Sequence, residues 1–153
     1  GIFAANGILF NHESPTRGET FVTRKIVKAL CRIKSGKQRK LYLGNLYSKR
    51  DWGHAEDYVF AMWKMLQLKK PQDFVIGTGK THTVKEFLKL AFEHVNKDYR
   101  NYIKINKKFF RPNDNIVLKA DYKKAKKILK WKPKISFRSL VNEMVDSDLK
   151  LIK

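Results

Sequence analysis

Three short segments carry side chains able to hold an anion or a polar ligand. The first, Asn11-His12-Glu13-Ser14-Pro15-Thr16-Arg17, follows directly on the apolar run that ends at Phe10. Asn11 and His12 both donate and accept hydrogen bonds, and Arg17 offers a planar, permanently charged fork for phosphate or carboxylate. The same residues also make an ordinary turn, with Asn and Ser bonding their own backbone and Pro15 stiffening it; spacing does not choose between the two. In the second, Lys49-Arg50-Asp51-Trp52-Gly53-His54, Arg50 either makes a local ion pair with Asp51 on the loop or serves a ligand, and Trp52 is a candidate core anchor. His54 and Asp57 stand three apart without a third ligand, too few for a metal site. In the third, Phe109-Phe110-Arg111-Pro112-Asn113-Asp114, the proline favours extended backbone at Arg111, which either projects into a pocket or lies on the surface. Gly77-Thr78-Gly79 lacks the third glycine of a dinucleotide loop and the spacing of a P-loop. No nucleophile–base pair emerges from local sequence, and His82 and His94 receive no role.

The elements that must position these groups alternate. Residues 2–10 read as a buried strand, and Thr20 to Ile33 as a helix with apolar residues at helical period, closed by Ser35-Gly36. Lys40 to Asn45 reads as a short strand, Leu46 to Gly53 as a loop, and His54 to Leu68 as a helix with Tyr58, Met62, Met65 and Leu66 on its apolar face. Phe74 to Gly79 reads as a strand with a glycine-bearing turn. Thr83-Val84-Lys85-Glu86 is a capping box that opens a helix buried through Val84, Phe87, Leu88, Ala91 and Val95. Tyr102 to Phe110 reads as irregular or strand-like, Ile116 to Leu118 as a brief strand, Asp121 as the cap of a helix to Leu129, and Phe137 to Leu151 as a last helix. Such alternation predicts an α/β fold with a largely parallel sheet. The strands are too few for a self-sufficient doubly wound sheet.

The chain has 153 residues, enough for one domain, and no apolar run near the ~18 residues of a membrane span. Its one cysteine, Cys31, excludes an internal disulfide framework, fits a reducing compartment, and falls where packing is its expected role. The net charge is +20, carried by 26 lysines and 8 arginines. That excess admits a stand-alone basic module binding nucleic acid or other polyanions, with Trp52, Phe109 and Phe110 to stack on bases. The scarcity of Arg, which supplies bidentate base and phosphate recognition, weighs against it. The chain opens on Gly1, already in strand-like sequence, which creates the expectation that the front of a larger protein is absent.

Taken together, "GILFNHESPTRGETFVTRKI", "LYLGNLYSKRDWGHAEDYV", "FFRP" and "ADYKKAKKILKWKP" resemble the C-terminal half of the GDP-mannose 4,6-dehydratases. These are nucleotide-sugar lyases of the extended short-chain dehydrogenase/reductase group. The last segment is shared with many sugar-nucleotide epimerases and dehydratases, so another enzyme of that fold is the nearer alternative. The resemblance implies the C-terminal part of a Rossmann-type fold. Residues 1–12 would finish the cofactor-domain sheet and its ligand loop, and 13–153 would form a substrate-binding domain that returns one strand near 74–77. It implies that His12 and Arg17 contact NADP. It also implies that Asn11, Lys25, Arg50 and Arg111 face GDP-mannose, with Asp114 standing where the family has a longer Glu. The family's glycine-rich loop, Tyr-x-x-x-Lys pair and catalytic Thr and Glu fall outside the matched region, so this chain alone is expected to be inert. A cytoplasmic homo-oligomer completed by the other half is the implied state, with neither a membrane nor a specific nucleic acid as partner. Strands 2–10 and 74–77 are then expected to present open edges, covered by self-association or poorly ordered.

Overall fold

The computed structural model describes residues 1–110 and 117–152. The strand expected over 2–10 divides at Phe10. Gly7–Leu9 (β1) pairs in parallel with Phe74–Ile76 (β6), whereas Asn11–Glu13 (β2) pairs in parallel with Trp52–His54 (β5). The expectation is corrected at both ends: residues 2–6 are not strand, and the strand direction continues beyond Phe10. The Leu46–Gly53 stretch is likewise not all loop. It holds Lys49–Arg50 (β4), antiparallel to His82–Thr83 (β7), and the start of β5. These strands are made by partners distant in sequence, Asn11 opposite Trp52 and Arg50 opposite His82, which no local periodicity contains. Leu41–Leu43 (β3) pairs in parallel with Ile103–Ile105 (β8), and Leu118 bridges Arg50.

The helices follow the sequence closely. Val22–Lys34 (α1) ends at Ser35, and Gly36 takes the left-handed φ of +75° that turns the chain away. Ala55–Leu66 (α2) is capped by the His54 ring, which accepts from the Glu56 amide. Val84–His94 (α3) has the full capping box, with Thr83 and Glu86 each satisfying the other's backbone amide. Lys123–Ile128 (α4) follows Asp121, whose carboxylate accepts from the Lys123 amide, and Phe137–Lys150 (α5) is capped by Ser136.

Two cores result. The first is built from α1, α3 and α5 with β3 and Trp52, and Cys31 lies within it. The second gathers Tyr58, Ala61 and Met65 of α2, Phe74 and Ile76 of β6, and Ala125, Leu129 and Trp131. Met62 and Leu66, expected on the buried face of α2, point outward. β1 and β6 do not stand open separately but pair with each other, although Ile8 remains 58% exposed.

Candidate functional site

β2, β4 and the start of α1 converge on a cavity of about 540 Å³. Its wall includes Asn11, Lys25, Arg50, Trp52 and Phe109. Asn11 arrives because β2 pairs in register with β5, which sets it opposite Trp52. Lys25 stands one turn into α1, and its ammonium lies 4.3 Å from the centre of the Phe109 ring, a cation–π contact that holds the charge at the rim. The Phe109 wall itself depends on Gly44. A Cβ there would lie 2.4 Å from the Phe109 carbonyl oxygen, so only glycine lets the turn at Lys107–Phe109 close over β3.

Asn11, Lys25 and Arg50, separated in sequence, thus line one space. Arg111 and Asp114 lie outside the described residues. The Arg50–Asp51 alternative is not what the structure shows for Asp51. Its carboxylate accepts from the Thr78 amide (2.9 Å) and hydroxyl (2.6 Å), the Gly79 amide (2.9 Å) and the Ala120 amide (3.1 Å). Arg50 donates to its neighbour's carbonyl, Lys49 O, at 2.7 Å.

His12 and Arg17 do not line this cavity. Side chains alternate along a strand, so Asn11 and His12 leave β2 on opposite faces. The His12 ring packs 5.3 Å from that of Tyr58, towards the second core. Its Nδ1 lies 2.9 Å from the Phe10 carbonyl, which must accept; the proton is therefore on Nδ1 and Nε2 is the acceptor of the neutral ring. Glu13 is buried and takes a 2.5 Å hydrogen bond from the Thr23 hydroxyl. Burial raises its pKa above the usual carboxylate range, against the opposing pull of Thr23, Arg17 and His12. Arg17 lies 3.4 Å from Glu13 and stacks over Phe21 at 3.5 Å. The Arg17 guanidinium is thus held between a carboxylate and an aromatic face.

Several structural residues escaped the sequence. Asp57 accepts from the Lys134 and Ile135 amides at 2.9 and 3.0 Å, and the His54 ring lies 2.9 Å from Glu143. His82 stacks on Phe137 at 3.8 Å, and His94 pairs with Asp146. Trp52 is a core residue, 2% exposed, so it offers no base-stacking surface. Tyr122 and Lys126 do have the Tyr-x-x-x-Lys spacing, which sequence reading passed over. Here Tyr122 packs edge-on against Trp131 at 5.7 Å and Lys126 is exposed, a packing arrangement. Only the spacing was visible in sequence; the distant partners of Asp51 and Asp57 were not.

The parallel strand pairs and their helices make an α/β fold of Rossmann type, shared with solved nucleotide-sugar epimerases and dehydratases. RMD from Pseudomonas aeruginosa, solved with NADPH, superposes with a TM-score of 0.83 at 17% identity, over 94% of this chain and 47% of that one. The chain belongs to the GDP-mannose 4,6-dehydratase family, whose description matches residues 1–144. It is 57% identical to GDP-mannose 4,6 dehydratase 1 of Arabidopsis thaliana over all of this chain and 42% of the relative. It is 45% identical to the Homo sapiens GDP-mannose 4,6 dehydratase over 99% of this chain and 45% of the relative. The chain therefore spans less than half the length of these curated relatives.

Proposed function

We propose that this chain is the substrate-gripping portion of an NADP-dependent GDP-mannose 4,6-dehydratase, a cytoplasmic lyase that converts GDP-mannose to the 4-keto-6-deoxy sugar nucleotide. The observation that carries the reading is the meeting of Asn11, Lys25 and Arg50 in one cavity, in a chain of that family. Lys25 and Arg50 supply fixed positive charge for a diphosphate, and Asn11 both donates and accepts for sugar hydroxyls. Arg111 and Asp114 are assigned to the nucleotide end of the same substrate.

His12, on the opposite face of β2 from Asn11, and Arg17, held beside Glu13, are assigned to the dinucleotide. The fit rests on the clamped Arg17 guanidinium and the fixed His12 tautomer. Arg17 binds phosphate, and His12 Nε2 accepts from a hydroxyl. The nicotinamide, when bound, supplies transient hydride removal at C4 of the hexose and its return at C6. β1 and β6 belong in this reading to the nucleotide-binding sheet, with 74–77 as the returning strand. The glycine-rich loop and catalytic residues come from the complementary portion, and the complete protein is a homo-oligomer. The chain by itself is inert.

Joining the chain to the complementary portion of a family member tests the reading. Dehydration of GDP-mannose with NADP is expected from the joined protein and none from the chain alone. A folded joined protein that leaves GDP-mannose intact, or that prefers a UDP- or dTDP-sugar, overturns it.

A further inference from the structure

Glu13 has no part in the assigned binding of either ligand, yet it is a carboxylate only 1% exposed. Burying a carboxylate is costly unless its charge is paired and its oxygens are bonded. Both conditions are met by residues of this chain. The Thr23 hydroxyl donates to Oε2 at 2.5 Å, and the same oxygen lies 3.4 Å from Arg17 Nε. One oxygen thus joins the end of β2, the turn at Arg17 and the first turn of α1. His54, opposite Glu13 in register on β5, is turned to Glu143, and Arg24, next to Thr23 on α1, is paired with Asp148. His12 on β2 and Tyr58 of α2 are the further ionisable groups beside it among the described residues.

The Arg17 backbone is fixed by its own turn, where its amide donates to the Ser14 carbonyl at 3.0 Å, which leaves the side chain to be oriented. Nε is buried without a hydrogen-bond partner among the described residues. The guanidinium is therefore held by the Glu13 charge and by the Phe21 ring 3.5 Å away. An arginine held before its ligand arrives loses less rotamer freedom on binding it. The Glu13 charge also opposes any anion that Arg17 attracts, so orientation and repulsion act on binding with opposite signs.

We propose that Glu13, anchored by Thr23, is a positioning residue that holds the Arg17 guanidinium towards a phosphate of the dinucleotide. This rests on the assignment of Arg17 to the dinucleotide and adds to it a residue that acts through Arg17. The sugar nucleotide is not the ligand concerned, because Glu13 does not line the cavity. Burial raises the Glu13 pKa above the usual carboxylate range. Glu13 therefore takes up a proton, and Arg17 loses its counter-charge, at a higher pH than an ordinary carboxylate would allow.

The test titrates NADP and GDP-mannose separately, by calorimetry, into the chain joined to its complementary portion. Glu13→Gln keeps the side-chain shape and an acceptor for Thr23 while removing the charge. It is expected to weaken NADP binding roughly three- to tenfold and GDP-mannose binding by less than about twofold. The NADP affinity ratio of native protein to variant should be largest near about pH 8 and shrink towards one as pH is lowered towards about 5. Protonation of His12 and of the dinucleotide phosphates affects both proteins and cancels in that ratio. Thr23→Val, which keeps the carboxylate but removes its anchor, should give a smaller loss confined to NADP, and supplies the readout if Glu13→Gln does not fold. Unchanged or tighter NADP binding in Glu13→Gln, where Arg17→Ala weakens it at least about tenfold, overturns the proposal alone. Unchanged NADP binding in Arg17→Ala overturns the dinucleotide assignment of Arg17 and the proposal with it. Equal weakening of both ligands at every pH marks a purely structural role for Glu13 and also overturns the proposal.

Discussion

The two cores of this molecule are finished to different degrees. In the first, α1, α3 and α5 close on one another, and Phe87, Leu88, Phe92, Leu140 and Met144 are at most 1% exposed. Arg24 of α1 and Asp148 of α5 pair across it at 2.5 Å. In the second, a two-stranded parallel sheet carries helices over one face, while Ile8 and the outer side of α2 remain open. Parallel sheets are ordinarily covered on both faces. The comparison teaches that the part read as gripping substrate is a self-contained packing unit, whereas the part read as belonging to the nucleotide sheet is built to have neighbours.

Two buried carboxylates join the regions. Asp51, beside Trp52 of the first core, ties down the turn after β6 and the chain at Ala120. Asp57, on α2, holds the amides that lead from Trp131 into α5. The cavity lies on the first-core side of this seam, and His12 and its neighbour Tyr58 on the other.

Breaking the closed core should have the largest effect. Phe87→Ala removes a fully buried ring set edge-on to Trp52 at 5.9 Å. It is expected to cost about 3–5 kcal/mol in urea unfolding, with global loss of helical signal. An Ile8→Ala change in the open region should stay within about 0.5 kcal/mol. Cutting the seam comes next. Asp51→Ala leaves three backbone amides without their acceptor and is expected to cost about 3 kcal/mol. Hydrogen exchange should then quicken in 74–79 before it quickens in α3, which sharpens the distinction between regions.

Smaller is Thr83→Ala, which removes half of the α3 capping box and should cost about 1 kcal/mol by the same unfolding assay. The smallest effect is a pH dependence. The Glu13 pKa is raised on folding, chiefly by burial. Its contribution to stability is therefore fully present below the unfolded value near 4.3 and declines as pH rises through the higher folded value. The stability of the native chain minus that of Glu13→Gln should accordingly fall as pH is raised from about 4 towards 7; a rise would reverse the sign of the burial argument. The Cys31 thiol is pushed up to about 11 by burial, so a thiol reagent at neutral pH should modify it only after unfolding.

The helices were legible because each carries its own evidence: Thr83 and Glu86 announce the start of α3, and Ser35-Gly36 the end of α1. The segments containing Asn11 and Arg50-Asp51-Trp52 were legible as groups of polar residues but not as strands. A three-residue strand such as Trp52–His54 is too short for alternation to register, and its pairing partner is Asn11–Glu13. Asp51 looked like half of a local ion pair because sequence shows neighbours, whereas its actual partners are Thr78, Gly79 and Ala120. The approach of Phe109 to Gly44, which shapes the cavity, joins elements that share no local signal.

The most direct test of the account is to titrate GDP-mannose calorimetrically into the protein joined to its complementary portion, with Arg50→Ala, Lys25→Ala and the exposed Arg138→Ala compared side by side. The account predicts that the first two weaken binding by about tenfold or more each while Arg138→Ala binds as the unmodified protein does. Unchanged affinity in Arg50→Ala and Lys25→Ala, with both variants folded, would contradict the assignment of the cavity to the sugar nucleotide.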